Sequence, residues 1–563
     1  MDNKLGHLKK SETKNERNVL IGGAWPYANS SLHLGHLAAL ISGDFLKRYH
    51  ELLGDNVLYV SGTDCHGTPI TERAKREKIE PKDIAEKYHN EFKSIFEKMN
   101  FSYDLYTKTC DEYHKKHVEE MFLKMYKNKY IYPKKNLQPY CKHCGKFEAD
   151  RELELICPNC GLVTKGDQCD CGYVPNEDDL IGATCRECGN KTIQKENTHL
   201  YIALSKFQSQ IEQYVKEKQK NWRIASINET EKYLKEGLKD RAVTRDLSWG
   251  VDIPVEGFKD KKMYVWIDAV LGYITATQKI CEEKGLNWEE FWKEDNNIKM
   301  YMCHGKDNIT FHTIILPALL MAMEENYHLP DVMVATQYLN INSEKISKSK
   351  GNGITIKQMV DEYNVDSLRY YMIAYGPENK DVDFTVENYI NVHNSDIVNK
   401  FGNFVNRTLK FKGLDEILLG IMDTQMKEKI DETYKEVSEY IESLEFKKAC
   451  SKIIELIEMG NKYYDECRRY CISPFRHLPG ECSQKLFRIR FRNRLLRPDH
   501  RNRGTGRHSD GGASGKGDRR KSGYDLGFRH LCRDLFRDRS QNLLRGLCLG
   551  LLQGQSVKHF QYP

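Results

Sequence analysis

Two short motifs far apart in the chain combine residues that could act on phosphates: His33-Leu34-Gly35-His36 and, well downstream, Lys345-Ile346-Ser347-Lys348-Ser349. Imidazole N–H and ammonium groups can donate to phosphate oxygens that gain charge during a reaction, and preorganised positive charge is commonly the largest catalytic contribution. Gly35 would let a flat nucleobase pack against bare backbone. Each motif is weak alone, because such spacings also arise by chance. In this order they predict a site that binds ATP and stabilises charge building up on its phosphates.

The local sequence indicates which elements would position these motifs. Residues 18–23 form a short β-rich run, residues 26–30 are turn-prone, and a helical pattern follows from Leu34 through Leu46. The two histidines would therefore lie near a helix N-terminus, where backbone N–H groups and the helix dipole favour anions. The lysine motif runs into Gly351-Asn352-Gly353. This predicts a mobile loop whose lysines could close over a leaving pyrophosphate.

Cysteine spacing predicts metal binding. Eight of the 18 cysteines form four pairs within one stretch: Cys141 with Cys144, Cys157 with Cys160, Cys169 with Cys171, and Cys185 with Cys188. Two such pairs can surround one tetrahedral Zn²⁺, so four pairs suit two ions, and four thiolates leave no open position for water. The charged N-terminus lacks the apolar core of a signal peptide, which favours metal over disulfides. We therefore expect one or two structural zinc ions, although the Cys169–Cys171 pair is one residue shorter than the usual knuckle.

The other cysteines are scattered. We expect these ten, Cys65 and Cys303 among them, to be buried free thiols. A zinc-ribbon binding module would account for the cysteine pairs, but it would leave the Lys345 motif unexplained.

Longer stretches around the motifs resemble class I aminoacyl-tRNA synthetases, specifically the methionyl-tRNA synthetase family. The similar stretches are Trp25–His36, Ser61–Pro69, Tyr264–Ala269 with Gly272-Tyr273, His304–Asp307 and the Lys345 motif. The resemblance runs from about residue 18 to about residue 466. It implies ATP-dependent activation of methionine to methionyl-adenylate, followed by transfer to the 3′ end of tRNA(Met). Nested pairing of the cysteines, outer pairs on one ion and inner pairs on the other, resembles the family's two-knuckle version.

The resemblance also implies residue roles. In the methionine pocket, Asp64 would bind the α-ammonium and aromatic rings would enclose the thioether; the pocket residues would be Trp25, Asp64, Trp266, Tyr273 and His312. The catalytic groups would be His33, His36, Lys345, Lys348 and Arg245. ATP, entering with Mg²⁺, would be held by Gly35, Asp307, Lys348 and Ser349.

Anticodon reading is where the chain departs from this family. Asn403 and Arg407, four residues apart on one helical face, match base-contacting positions. The tryptophan expected to stack on an anticodon base is absent, and Tyr470 stands in its place. Such stacking contributes about 1–3 kcal/mol per base.

Alternating apolar runs predict an α/β fold with a Rossmann-like parallel sheet, split by a zinc-binding connective insertion. From about residue 388 the pattern is helical, and the resemblance implies that this part is an all-α anticodon-binding bundle, here truncated or scrambled. We expect the sheet to resume with strands at residues 264–267, 297–302 and 331–335. The domain boundaries expected are 15–117 for the first catalytic half, 118–235 for the insertion, 236–340 for the second half, 341–387 for the lysine-loop region and linker, 388–466 for the helical domain, and 467–563 for an aberrant tail.

Composition agrees with a multidomain globular protein. The 563 residues predict two to four domains, with 39% hydrophobic and 30% charged residues. No run approaches the roughly 18 apolar residues that span a bilayer, so we expect a cytoplasmic protein with no membrane partner. The net charge of +6 does not describe the whole chain evenly. Residues 467–563 hold 22 Lys and Arg against 7 Asp and Glu, so the rest of the chain holds 65 basic and 74 acidic residues and is acidic. Any tRNA contact in this acidic body must come from local patches.

The Arg-rich tail differs in kind from the Lys-rich chain before it. We interpret residues 467–563 as the product of a frameshift, with a genuine basic RNA-binding tail as the alternative. Two functional hypotheses follow. One is a working methionine–tRNA ligase; the other is a non-aminoacylating relic that retains adenylate formation or only zinc binding. Leucine, isoleucine and valine synthetases share both opening motifs but lack this cysteine-rich insertion, and cysteinyl-tRNA synthetase uses zinc in its amino-acid pocket.

Overall fold

The computed structural model describes residues 17–149, 152–166, 169, 171, 173, 175, 179–293, 296–341, 344–345, 354–410 and 424–472. The chain divides into two compact units, between Thr385 and Val386. Lys345 is described in its backbone alone. Lys348 and Ser349, predicted as site residues, and the tail from Ser473 onward lie outside the described residues.

The first unit opens with alternating strands and helices. In chain order these are β1 (Asn18–Gly23), α1 (Leu34–Leu53), β2 (Asn56–Thr63), α2 (Thr68–Glu77), α3 (Pro81–Lys98), β3 (Leu105–Lys108) and α4 (Glu112–Lys127). Val19, Leu20 and Ile21 of β1 are fully buried, as in a strand covered on both faces. α1 starts at its N-cap, His33, and ends where Gly54 takes a left-handed φ of 84° that suits glycine.

A mostly antiparallel segment follows α4. Its elements are β4 (Ile131–Cys141), β5 (Lys146–Phe147), β6 (Leu153–Ile156), β7 (Val163–Lys165), β8 (Thr184–Cys185), β9 (Ile193–Ile202), α5 (Gln208–Lys218), α6 (Ile224–Glu236) and β10 (Arg241–Ala242). β4 and β9 form a long ribbon, from Ile131 opposite Ile202 to Tyr140 opposite Ile193. The eight predicted zinc ligands lie at and beyond the far end of this ribbon.

The remainder of the first unit returns to the main sheet. It contains β11 (Thr244–Arg245), β12 (Lys262–Met263), α7 (Val265–Lys284), β13 (Ile298–Gly305), α8 (Leu316–Ala322), β14 (Val332–Thr336), β15 (Leu339–Ile341), β16 (Glu344–Lys345), α9 (Ile356–Glu362), α10 (Val365–Ala374) and β17 (Val382–Phe384). The strands expected at 297–302 and 331–335 are present as β13 and β14. The strand expected at 264–267 is wrong, because these residues open α7. A short apolar run does not distinguish a strand from the start of a buried helix.

The main sheet has the order β14-β13-β1-β2-β3, with every neighbouring pair parallel. The chain moves from β1 to β2 and β3 on one side and later fills β13 and β14 on the other. The direction of winding therefore reverses between β1 and β13. In open α/β sheets, ligands bind at such a switch point, beyond the carboxyl ends of the strands. The predicted fold class is confirmed.

The second unit is helical in its described part. It consists of α11 (Val386–Val392), a π-helical stretch (His393–Gly402), α12 (Asn403–Leu409), α13 (Thr424–Glu442) and α14 (Phe446–Ile472). α14 continues past Cys467, the residue at which we placed the start of the aberrant tail. No helix in the described part of the chain has both the length and the apolar character needed to cross a membrane.

Candidate active site

A cavity of about 350 Å³ opens at the carboxyl edge of the main sheet, next to the β1–β13 switch point. The residues that line it follow β1, β2, β13 and β14 or belong to α1 and α7. They include nine that the sequence singled out: Trp25, His33, Gly35, His36, Asp64, Trp266, Tyr273, Asp307 and His312. These nine residues, up to 287 positions apart in the chain, thus meet around one space large enough for a small ligand.

The start of α1 holds both histidines of the first motif. The backbone N–H of Gly35 donates to Nδ1 of His33 at 3.1 Å, and the backbone N–H of His33 donates to Nδ1 of His36 at 3.2 Å. This is a reciprocal capping box built from histidines. Because each Nδ1 accepts, each neutral ring carries its proton on Nε2. The helix cap therefore fixes the tautomer in which both rings are donors at Nε2.

The chain beyond the lysine motif returns to this helix start. His33 and Thr355 form an antiparallel bridge. Leu34 N–H donates to Ile354 O at 3.2 Å, and Ile356 N–H donates to Leu32 O at 2.9 Å. Upstream of the motif, β16 pairs with β15 and sets Lys345 opposite Asn340. Lys345, at the start of the motif, is thus paired with β15, and the chain from Ile354 onward is paired with the start of α1.

Three buried titratable residues, Asp64, His66 and Asp268, form a hydrogen-bonded chain beside the cavity. The backbone N–H of His66 donates to Asp64 Oδ1 at 3.3 Å, and the His66 ring Nδ1 lies 2.8 Å from Asp268 Oδ2. Burial, together with the nearby Asp268 carboxylate, raises the pKa of Asp64 well above its usual range. Burial lowers the pKa of His66 to about 3, so its ring is neutral. A cation entering the cavity would relieve the repulsion between the two carboxylates.

His66 and Asp268 were missed in reading the sequence. Both are at most 1% exposed, and Oδ1 of Asp268 has no hydrogen-bond partner in the described part of the chain. Both residues could have been selected as candidates, since each lies inside a stretch that resembles the family. What the sequence could not give was their pairing across 202 positions.

Aromatic side chains form one wall of the cavity. The Tyr273 hydroxyl lies 2.9 Å from His312 Nε2, and His312 Nδ1 lies 2.8 Å from Asn308 O. Since a carbonyl only accepts, Nδ1 donates, so the Tyr273 hydroxyl donates to Nε2. Burial lowers the pKa of His312 to about 4, which keeps the ring neutral. His304, which the sequence did not flag individually, stacks on His312 with ring centroids 4.2 Å apart.

Trp25 is seated against two glycines. A Cβ atom on Gly272 would lie 2.7 Å from Cζ2 of Trp25, and one on Gly62 would overlap the same ring. Neither overlap is tolerable without displacing the indole. Trp25 also meets Tyr273 edge-on at 6.2 Å, while Trp266 packs on Phe311 at 3.5 Å between ring centroids. Phe311, another cavity residue, had no signal in the motifs.

Asp307 is an exposed residue that also lines the cavity. It accepts a hydrogen bond from the hydroxyl of Tyr338. The ammonium of Lys306 sits 3.6 Å from the centre of the Tyr338 ring and 2.9 Å from Asp381. Lys306 and Tyr338 both line the cavity and were not predicted.

Arg245 is held apart from this group. Its guanidinium lies over the ring of Tyr264 at 4.0 Å and donates to the carbonyls of Ala242 and Thr244 at 3.0 and 2.9 Å. Among the described residues it is not part of the cavity lining. Its catalytic role stays a prediction.

The eight paired cysteines gather into two groups of four: Cys141, Cys144, Cys185 and Cys188, and Cys157, Cys160, Cys169 and Cys171. Within each group the sulfur atoms all lie within 4.8 Å of one another. Sulfur pairs at 3.4 and 3.8 Å in the first group, and at 3.8 and 3.5 Å in the second, approach the ~3.8 Å expected at 2.3 Å from a tetrahedral Zn²⁺. Both groups fit zinc, including the group that contains the short Cys169–Cys171 pair. The grouping is nested, because the first and last pairs in the chain form one group and the two middle pairs form the other.

The two predicted anticodon residues lie on α12. Asn403 is exposed. Arg407 donates to the carboxylate of Asp465 on α14, and its guanidinium lies 4.7 Å from the ring centre of Tyr464. The side chain of Tyr470 lies outside the described residues.

Comparison with known proteins agrees with this geometry. Residues 19–409 match the family model described as tRNA synthetases class I (M). "Methionine–tRNA ligase 1" of Alkaliphilus oremlandii is 45% identical over 80% of this chain and 83% of its own length, and "Methionine–tRNA ligase" of Bacillus mycoides is 47% identical with the same coverage.

A solved structure supports the fold. Mycobacterium tuberculosis methionyl-tRNA synthetase, in complex with methionyl-adenylate, matches with a TM-score of 0.67 at 23% identity, covering 84% of this chain and 87% of that one. From the family match and the identity to its relatives, this chain belongs to the class I tRNA synthetases (M), the family of the methionine–tRNA ligases.

Proposed function

We propose that this chain activates methionine with ATP and transfers the methionyl group to tRNA(Met). The methionine carboxylate attacks the α-phosphorus of ATP, forming methionyl-adenylate and releasing pyrophosphate. A hydroxyl at the 3′ end of the tRNA then attacks the acyl carbon and releases AMP. The observation that carries the proposal is the meeting of the histidine-capped helix, a buried carboxylate and an aromatic wall in one cavity of a chain from this family.

In the methionine subsite, Asp64 accepts the α-ammonium group. The raised pKa of its carboxyl supports this role, because the incoming cation supplies the charge that burial and Asp268 otherwise disfavour. Four side chains surround the thioether: Trp25, Trp266, Tyr273 and His312. Burial keeps Tyr273 and His312 uncharged, and the hydrogen bond between them satisfies both, which suits an apolar substrate group.

In the ATP subsite, the Nε2 donors of His33 and His36 serve the phosphates. Gly35 and Asp307 face the nucleoside, and Lys345, Lys348, Ser349 and Arg245 act on the phosphates or the adenylate. Mg²⁺ enters with ATP. This reaction needs in-line positioning and charge stabilisation more than covalent help from the protein.

Each cysteine group binds one Zn²⁺ in this proposal. Zinc held by four thiolates has a structural role, linking segments of the insertion that share little apolar core. Near the cysteine groups, Leu153, Leu180 and Ala183 form a small buried apolar cluster that is separate from the main core. Metal coordination would supply the stability that so few apolar side chains cannot.

The division of labour along the chain follows. Residues 15–117 and 236–340 form the catalytic domain, 118–235 the zinc insertion, 341–387 the lysine-loop region, and 388–466 the anticodon-binding domain with Asn403 and Arg407 as base contacts. Residues 467–563 are a frameshift product. Resequencing the codons around Cys467, with intact-mass measurement of protein from the native cell, tests this last assignment. An Arg-rich tail that is in frame in both would contradict it.

A two-step assay tests the function. ATP–pyrophosphate exchange reports adenylate formation alone, whereas charging of tRNA(Met) requires both steps. With methionine as the amino acid, we expect both pyrophosphate exchange and charging of tRNA(Met). Exchange without charging would favour the relic hypothesis, and absence of exchange in a folded, zinc-loaded protein would contradict the proposal.

A further inference from the structure

Two cysteines outside the zinc groups, Cys65 and Cys110, lie just beyond the carboxyl ends of the adjacent parallel strands β2 and β3. In the register of β2 and β3, Thr63 lies opposite Lys108, and beyond that pair Thr109 N–H donates to Thr63 O at 3.0 Å. Cys65 and Cys110 each follow two residues after the Thr63–Lys108 pair. Neighbouring strands lie about 4.8 Å apart. This spacing falls within the range of Cα separations, about 4.4–6.8 Å, that a disulfide bridges.

Hydrogen bonds turn Cys65 toward the chain leaving β3. Its backbone N–H donates to Thr109 Oγ1 at 2.9 Å. Its Sγ lies 3.5 Å from the Thr63 carbonyl oxygen, the same atom that accepts from Thr109 N–H. The register of the two strands and this hydrogen bond to Thr109 place Cys65 beside the stretch of chain that carries Cys110 in the reduced protein.

The two thiols differ in exposure and acidity. Cys65 is fully buried, and burial raises the pKa of its thiol. Cys110 is half-buried, and the neighbouring Cys65 thiol, with the Lys108 ammonium nearby, lowers the pKa of the Cys110 thiol. The thiolate is the nucleophile in thiol oxidation. Cys110 is thus suited to react first and Cys65 to resolve the product.

We propose that Cys65 and Cys110 are a redox modification site, at which a hydroperoxide oxidises the pair to a reversible disulfide beside the cavity. The Cys110 thiolate attacks the terminal peroxide oxygen, giving a sulfenic acid, and the O–O bond breaks; the departing oxyanion is protonated to an alcohol, or to water when the oxidant is hydrogen peroxide. The Cys65 sulfur then attacks the Cys110 sulfur and displaces water, with loss of its own proton. The two sulfurs lose two electrons in total, and the peroxide gains them. A dithiol returns both cysteines to the thiol form.

The position of the bridge predicts a consequence for the active site. Cys65 stands between Asp64 and His66, whose backbone N–H donates to Asp64. Pulling Cys65 toward Cys110 would shift the Asp64 carboxylate from its place in the cavity. This consequence rests on the methionine-binding role proposed for Asp64, whereas formation of the disulfide does not.

Peptide mapping tests the site directly. Reduced, zinc-loaded full-length protein is treated with hydrogen peroxide, alkylated, digested and analysed by mass spectrometry, with zinc content measured in parallel. We expect a Cys65–Cys110 linked peptide, lighter by two hydrogen atoms than the sum of its parts, that disappears after dithiothreitol. The buried thiols of Cys281 and Cys303 should remain reduced and should react with the alkylating agent only after the protein is unfolded. Recovery of Cys110 as a free thiol, solely as a sulfinic acid, or bridged to another cysteine would overturn the proposal.

A matched pair of variants tests the consequence. After peroxide, the wild type should show a rise in KM for methionine of about tenfold in pyrophosphate exchange, as expected for loss of one charge-assisted contact. Dithiothreitol should reverse it. Cys110→Ser should exchange normally and resist peroxide, while Cys281→Ala, which removes a buried thiol on α7, should respond like the wild type. A mapped disulfide with unchanged KM would overturn the effect on Asp64 and leave the modification site standing.

Discussion

His33 and Thr355 form a backbone bridge that joins the start of α1 to the chain leaving the lysine motif. The bridge joins the first motif to a residue more than 300 positions further along the chain. Because the His33 ring also caps α1, the same residue fixes the helix start, the tautomer of the imidazoles and the point at which the chain beyond the lysine motif pairs with α1. This end of the cavity is thus organised around one residue.

Removing one phosphate donor should slow adenylate formation. His36→Ala removes an Nε2 donor, and we expect exchange to slow by about 100-fold, equivalent to about 3 kcal/mol of transition-state stabilisation. The dissociation constant for methionine should be nearly unchanged. His36→Gln is the matched control for the helix cap, since glutamine at this position also accepts from the N-cap backbone. If both variants exchange like the wild type, His36 does not act on the phosphates.

Lys348 should matter for the same step. We expect Lys348→Ala to cripple pyrophosphate exchange while methionine binding, measured by tryptophan fluorescence or calorimetry, stays nearly intact, because the ammonium would act on phosphates alone. Unchanged exchange would remove Lys348 from the site.

Crowding of Trp25 should weaken methionine binding. The methyl group of Gly272→Ala would press on the indole, and overpacking of this kind costs about 1–3 kcal/mol. We expect a rise in KM for methionine, with a smaller change in kcat. Combining Gly272→Ala with Trp25→Leu should recover part of the loss, because the smaller side chain makes room. Additive losses in the double variant would contradict a direct contact.

Asp268 should set the pH at which the methionine subsite becomes competent. Protonation of Asp64 removes its attraction for the ammonium, so kcat/KM for methionine should fall as the pH drops through the raised pKa of that carboxyl. Asp268→Asn removes the neighbouring negative charge but can still accept from His66. The pKa of Asp64 should therefore fall, and the acid limb of the profile should move to lower pH. If the acid limb of the Asp268→Asn profile stays in place or moves to higher pH, Asp268 does not raise the pKa of Asp64.

Zinc content should follow the nested grouping. We expect two ions per chain by elemental analysis. Cys144→Ser and Cys160→Ser, one change in each cysteine group, should each retain one ion, and the double variant should retain none. Loss of both ions from either single variant would show that the groups do not bind metal independently.

Most residues of the candidate site could be predicted from the sequence, but most of the contacts between them could not. His33, His36 and the cysteine pairs were predictable because short-range spacing defines them. The strand expected at residues 264–267 failed because its apolar run belongs to a helix of 20 residues, whose length the local pattern did not reveal. The His66–Asp268 pair and the stacking of His304 on His312 depend on tertiary contacts. No local pattern encodes these contacts, so only the folded chain could disclose them.

Amino-acid selectivity of the first half-reaction distinguishes methionine activation from the activation of related substrates. Pyrophosphate exchange is measured with methionine, leucine, isoleucine, valine and cysteine, separately and in competition, on the folded full-length protein. We expect methionine to support exchange far better than the other four, and His36→Ala to suppress that exchange. Exchange driven best by another of these amino acids, or by none of them, would contradict the proposed function.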